Sequence, residues 1–234
     1  MADNPRETHD TLAEFIRSGN AAEAISQLES QIALTPRDDR LWALLGQAHY
    51  QVNQHNDAVA AMREALRLRP DHSPYFADLG MTLRADGRPA EAEALLREAI
   101  RRDGANPLAR HALGNLLVSL RRHDEAITVF GTLLTQTPNF FPALENLASL
   151  FVEMGRLADA LKLIETALHH APNDHRLYSM LAIILDKGGN QHAALEVTLK
   201  AIALNPPQTL DMRLASFMSL TGRTGRLDLR QQVM

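Results

Sequence analysis

Residues 39–72 read DRLWALLGQAHYQVNQHNDAVAAMREALRLRPDH. The first half sets Trp42, Leu45, Gly46 and His49 at i, i+3, i+4 and i+7, one face of an α-helix. The second half sets Ala58, Met62, Ala65 and Leu66 on one face of another. Between them Asn53 suits the left-handed backbone that ends a helix. Pro70 lacks an amide hydrogen and stops the second helix. The stretch therefore predicts two antiparallel helices joined by a tight turn. Gly46 and Ala58 are small where the two backbones must approach, and larger side chains there would cost about 1–3 kcal/mol through overpacking.

The same pattern recurs along the chain. Pro36, Pro70, Pro138, Pro172 and Pro206 are separated by multiples of 34 residues, and Gly104 stands on the one beat without a proline. The beat divides the chain into six blocks, 5–38, 39–72, 73–106, 107–140, 141–174 and 175–208. Position 20 of every block is alanine: Ala24, Ala58, Ala92, Ala126, Ala160 and Ala194. Position 15 is Gly19, Gly87, Gly155 and Gly189, with Asn53 and Arg121 in the other two blocks. A helical hairpin this short cannot bury its apolar face alone, so successive hairpins stack. Thr198 stands where an apolar residue is expected at position 24. Block 5–38 carries Thr8, Thr11 and Leu12 on its first stripe, as befits an end repeat with one solvent-facing side.

These residues resemble the tetratricopeptide repeat (TPR) signature, most fully in 39–72, where Trp42, Leu45, Gly46, Ala58, Ala65 and Pro70 stand at the family's spacing. The resemblance implies an all-α fold, a right-handed superhelical α-solenoid of six TPR helix-turn-helix repeats in one array over 1–234. It also implies a concave groove, lined by the first helices, that binds peptides or segments of other proteins. After Pro206 the register slips by one, and Leu214, Ala215 and Met218 take the core stripe. Residues 209–234 thus read as a capping helix or an incomplete seventh repeat.

Composition narrows the function. A 234-residue chain that is 45% hydrophobic can bury a sizeable core. Its net charge of −4 disfavours binding that depends on neutralising phosphates, whether of nucleic acid or of a membrane surface. The absence of cysteine excludes disulfides and thiolate metal sites. Met1 to Arg6 lack a signal-peptide pattern, and no apolar run approaches the ~18 residues of a membrane span. The expected compartment is the cytoplasm.

Nothing in the sequence assembles into a catalytic motif. His169 and His170 lie at the end of a second helix, where a partly charged imidazole suits the helix dipole. His175 follows across Pro172 and does not share their face, so a metal site is not expected. His49 falls on the core stripe and reads as a packed, hydrogen-bonded side chain. Gly188 and Gly189 form an inter-helix turn, not a phosphate loop. No cofactor is expected.

The variable face of the first helices comprises positions 2, 5, 6, 9, 12 and 13. In the first three blocks it holds Arg6, His9, Asp10, Arg17, Arg40, Gln47, Tyr50, Gln51, Asp78, Met81 and Arg84. Four arginines against two aspartates suggest a ligand of acidic character; the alternative is an ordinary mixed surface. Some TPR domains clamp a peptide's terminal carboxylates with two lysines, an arginine and two asparagines at set positions. The matching residues here are His111, Asn115, Asn146, Arg176 and Met180, so two of the three cations are replaced and only Arg176 keeps a fixed charge, which removes most of the electrostatic basis for a carboxylate clamp. Asn115 and Asn146 can still hold the backbone of an extended peptide. Glu145, Ser149 and Ser179 complete the candidate groove.

The sequence is therefore read as a non-catalytic scaffold that binds a protein or peptide in the groove. One alternative is the substrate-recruiting region of a larger glycosyltransferase, hydroxylase or sulfotransferase. Another is a self-assembling scaffold joined through its end repeats.

Overall fold

The structure, a computed structural model, describes residues 5–205, with side chains from Thr8 onward. The Arg6 side chain, Pro206 and the capping or seventh-repeat reading of 209–234 therefore lie outside what is described. The described residues form α-helices joined by short turns. The first helices of the repeats are α1 (Pro5–Arg17), α3 (Asp39–Gln51), α5 (Ser73–Ala85), α7 (Pro107–Ser119), α9 (Phe141–Glu153) and α11 (His175–Lys187). The second helices are α2 (Ala21–Leu34), α4 (His55–Leu68), α6 (Pro89–Arg102), α8 (His123–Gln136), α10 (Leu157–His170) and α12 (Gln191–Leu204). Both sets start on a strict 34-residue beat. The described fold is an all-α helical repeat.

The chain falls into two compact units that divide between Val129 and Phe130, within α8. In the first, α1 packs on α2, α3 on α4 and α5 on α6, while α1, α3, α5 and α7 also touch in succession. In the second, α9, α10, α11 and α12 pack in chain order, and α9 also meets α11.

The alanines at position 20 explain the close pairing: all six are at most 1% exposed. Each turn closes with a left-handed residue at position 15. Gly19, Gly87, Gly155 and Gly189 have φ between 71° and 92°, and Asn53 and Arg121 adopt φ of 61° and 60°. The next residue's amide then reaches back five residues, as in Gln54 to His49 (2.9 Å) and Arg122 to Leu117 (2.9 Å), which satisfies a carbonyl the helix end leaves open. Arg121 thus takes the conformation of the glycines it replaces, and its Cβ makes that unfavourable.

Helix starts are capped where the residue type permits. Asp38, Asn106 and Asp174 accept first-turn amides of α3, α7 and α11 at 3.0–3.4 Å. Aromatic residues at position 4 tie repeats together: Trp42 Nε1 donates to the Pro36 carbonyl (3.0 Å) and Tyr178 Oη to that of Pro172 (2.8 Å). Thr198 is fully buried, and its hydroxyl donates to the Ala194 carbonyl one turn back (2.7 Å). That satisfies the polar atom an apolar position would otherwise strand. His49 is buried and bonds Gln54 Oε1 (2.6 Å).

On the second helices of the first unit, Arg–Glu pairs bridge neighbouring repeats. Arg63 reaches Glu91 (3.4 Å), Arg97 reaches Glu125 (3.4 Å), and Arg122 reaches Glu93 (2.7 Å). The Arg63–Glu91 and Arg97–Glu125 pairs are about half exposed, so each is worth at most about 1 kcal/mol.

Candidate functional site

In the first unit α1, α3 and α5 lie side by side and enclose two neighbouring cavities that share Gln47 and Asp78. The first, about 300 Å³, is polar-rimmed by His9, Asp10, Arg40, His72 and Tyr75 over an apolar floor of Ala13, Ala43 and Leu44. The second, about 220 Å³, is lined by Tyr50, Gln51, Met62, Met81 and Thr82. The repeat explains the convergence. His9 and Ala43 stand at position 5, Asp10, Leu44 and Asp78 at position 6, and Gln47 and Met81 at position 9.

Hydrogen bonds fix this wall. His9 is buried, and its Nε2 bonds Asp38 Oδ2 (2.9 Å), the same carboxylate that caps α3. Its Nδ1 is buried with no partner among the described residues. Tyr75 Oη donates to Asp39 Oδ2 (2.6 Å), and Arg69 stands 3.7 Å from the same carboxylate. Burial and that bond push the Tyr75 hydroxyl well above its ordinary range. The His72 ring sits edge-on to Tyr75 at 4.3 Å, and burial together with the nearby Arg69 charge lowers its pKa. Asp78 is partly buried, and the loss of water pushes its carboxyl up to about 6 despite a hydrogen bond from the Gln47 side chain.

The charge of this cavity is the reverse of the balance expected from the sequence. Of the four arginines assigned to the face, only Arg40 lines it, whereas Asp10 and Asp78 both do. Arg17 is paired with Glu14 on the same helix, Arg84 is exposed outside both cavities, and Arg6 lies outside the described side chains. Periodicity gives a residue's angle around its helix but not which neighbouring side chain claims its charge.

In the second unit, α9 and α11 enclose a cavity of about 250 Å³ lined by Glu145, Ser149, Val152, Glu153, Met180 and Ile183, with Ala148 and Ile184. Glu145 and Ser149 were candidates; Glu153, Met180 and Ile183 occupy positions 13, 6 and 9, so the same positional rule reaches them. Met62 was the less legible residue, since it comes from a second helix and its position reads as core. The clamp-like residues do other work. Arg176 pairs with Asp174 (2.6 Å) and stacks on Phe141 at 4.2 Å, so its charge is already matched. His111 and Asn115 bond each other (3.3 Å), Asn146 is partly buried, and the Ser179 hydroxyl donates to the His175 carbonyl (3.0 Å). Of the clamp-matching residues only Met180 lines the cavity between α9 and α11; His111, Asn115, Asn146 and Arg176 do not, nor does Ser179.

Among the described residues, no group of three or more His, Asp or Glu is placed to hold a metal ion. No described helix is long and apolar enough to cross a membrane. Residues 22–140, just over half of the chain, match the family model of the cytochrome c-type biogenesis protein H TPR domain, and residues 121–184 match a second tetratricopeptide repeat model. The chain belongs to the tetratricopeptide repeat family. This TPR chain is 26% identical over 165 residues to the N-terminal acetyltransferase A complex auxiliary subunit NAA15 of Arabidopsis thaliana, covering 70% of the chain and 18% of that protein. It is 24% identical over 161 residues to the protein O-mannosyl-transferase Tmtc3 of Drosophila melanogaster, covering 68% of the chain and 17% of that protein. The chain thus spans less than a fifth of the length of either relative. Its fold is also that of PilW, a type IV pilus biogenesis factor, with a TM-score of 0.70 at 21% identity over 92% of this chain and 99% of that one.

Proposed function

We propose that this TPR chain is a non-catalytic scaffold that binds another polypeptide on the exposed faces of its first helices. One observation carries the reading: first helices of three successive repeats in the first unit converge on two joined cavities that combine apolar floor with polar groups. An extended chain suits such a site, because its backbone can bond side chains such as Gln47 while alternate side chains enter the two cavities. A relative named as an auxiliary subunit of a complex supports a binding role. Nucleic acid and membrane are not part of the reading, in keeping with the net charge of −4. The cytoplasmic compartment argued from the sequence belongs to the same proposal, and cell fractionation tests it.

The test is a peptide-library screen of the full chain beside Met81→Arg, which fills the second cavity with a charged side chain. Micromolar binders lost on Met81→Arg are expected. Finding no ligand better than millimolar, or ligands indifferent to the substitution, would overturn the reading. A second reading is that this array recruits substrate for a larger enzyme; the limited span of the chain on the mannosyl-transferase favours it. The open reading frame beyond Met234 in the source gene tests it. Self-association through the end repeats is a third reading that falls partly on residues 209–234, outside the described part; light scattering of dilute protein decides it.

A further inference from the structure

The first unit distributes its cations unevenly. On the second-helix side several acidic groups have an arginine: Glu91 has Arg88, Glu98 has Arg101 and Arg102, and Glu93 and Glu125 share Arg97 and Arg122. In the wall of the cavity Asp38 has His9, and Asp39 has Tyr75 and Arg69. Asp78 is different. It is partly buried, its carboxylate meets the Gln47 amide, and no ion pair with a cation forms there among the described residues. Arg40 and Asp10, both exposed, offset each other on the same rim, so Asp78 leaves the cavity acidic when the histidines are neutral. Beside it Met81 and Tyr50 offer an apolar wall.

The second unit also sets carboxylates beside apolar side chains, although Glu145 and Glu153 are solvent-exposed where Asp78 is partly buried. Glu145 and Glu153 stand beside Val152, Met180 and Ile183, Ile183 is 42% exposed, and no lysine or arginine lines the cavity. A carboxylate partly removed from water without a cation, as Asp78 is, is unfavourable unless a cation arrives from elsewhere. The partly exposed methionines Met81 and Met180 and the exposed Ile183 favour an apolar group on the same ligand.

We propose, building on the scaffold reading above, that the ligand is a basic amphipathic polypeptide segment. In the first unit its lysine or arginine side chains meet Asp78; in the second, taken by itself, such a segment meets Glu145 and Glu153. Its intervening apolar side chains rest against Met81 and Tyr50, or against Met180 and Ile183. Charge complementarity selects this occupant over an acidic segment, which would place like charges against the partly desolvated Asp78 and the exposed Glu145 and Glu153.

The experiment measures fluorescence anisotropy of three labelled peptides on the full chain: alternating Lys and Leu, Gln and Leu, and Glu and Leu. The Lys–Leu peptide is expected to bind at least about tenfold more tightly than Gln–Leu, and Glu–Leu more weakly than either. Asp78→Asn should remove part of the Lys–Leu advantage, and combined with Glu145→Gln and Glu153→Gln most of it, while leaving Gln–Leu binding as it was. Glu165→Gln, an exposed carboxylate on α10 outside these cavities, should change nothing. The inference falls if Glu–Leu binds as well as Lys–Leu, if none of the peptides binds, or if Glu165→Gln weakens Lys–Leu as much as Asp78→Asn does. If Gln–Leu equals Lys–Leu and Met81→Arg abolishes both, the charge assignment falls but the scaffold reading stands. If binding ignores Met81→Arg and Ile183→Arg alike, the scaffold reading itself falls.

Discussion

Replacing Asp78 by asparagine should make the protein more stable, and the gain should depend on pH in a defined sense. Burial raises the Asp78 carboxyl from 3.8 to about 6 in the folded chain. A rise of about two units corresponds to about 3 kcal/mol at most, and partial solvent contact reduces this to about 1–3 kcal/mol. The sign follows from proton binding. Between pH 3.8 and about 6 the folded chain keeps a proton that the unfolded chain has released. Stability contributed by Asp78 is therefore fully present below 3.8 and is lost as pH rises through about 6. Above that, the folded state carries a poorly hydrated charge. Asparagine has the same shape, still accepts from Gln47 and never ionises. Urea unfolding at pH 7, followed by Trp42 fluorescence and by helical circular dichroism, should show Asp78→Asn more stable than the parent. Trp42 packs in the same small cluster as Ala43, Ala65 and Tyr75, so it reports on this part of the fold. At about pH 3.8 the two proteins should unfold alike. A variant no more stable at pH 7, or one whose advantage is the same at both pH values, would refute the argument that burial of this carboxylate is unfavourable.

Three further outcomes follow from packing and backbone geometry. A Cβ at Gly80 would lie 2.8 Å from the branched Cγ of buried Leu96 and 3.3 Å from the Ala92 carbonyl, whereas one at Gly46 would meet the flexible Met62 side chain at 2.7 Å. Gly80→Ala should therefore lower stability by about 1–2 kcal/mol in chemical denaturation, while in Gly46→Ala the gain in helix propensity of about 1 kcal/mol should offset most of the crowding. Arg121→Gly should raise the thermal midpoint, since φ of 60° disfavours a side chain by about 1 kcal/mol. Asp38→Ala should cost about 1–2 kcal/mol in urea, because it removes both the α3 cap and the partner of buried His9.

The fold was legible because helix packing leaves a regular trace. Alanine at position 20 and glycine at position 15 record a close approach and a left-handed turn, and the helices start on the beat those residues mark. Even Arg121 and Thr198, which break the pattern in residue type, keep its conformation and burial. The site was legible by angle but not by charge. The positional rule places Gln47, Tyr50, Gln51, Asp78 and Met81 around shared cavities. It does not reveal that His9 finds Asp38 twenty-nine residues away, or that Arg17 and Arg176 are occupied by Glu14 and Asp174. Those pairings depend on rotamers and on neighbouring repeats. The division at Val129 leaves no sign in the sequence, where the same stripe runs on through α8.

The strict beat of helix starts has a consequence for how such a chain can change. Cutting any two neighbouring repeats at the same turn produces ends that differ by one whole module, so excision or duplication of a 34-residue stretch rejoins helix to helix in register. The new junction brings together the same kinds of surface that met before. Array length can therefore drift through unequal recombination without inventing a new hairpin.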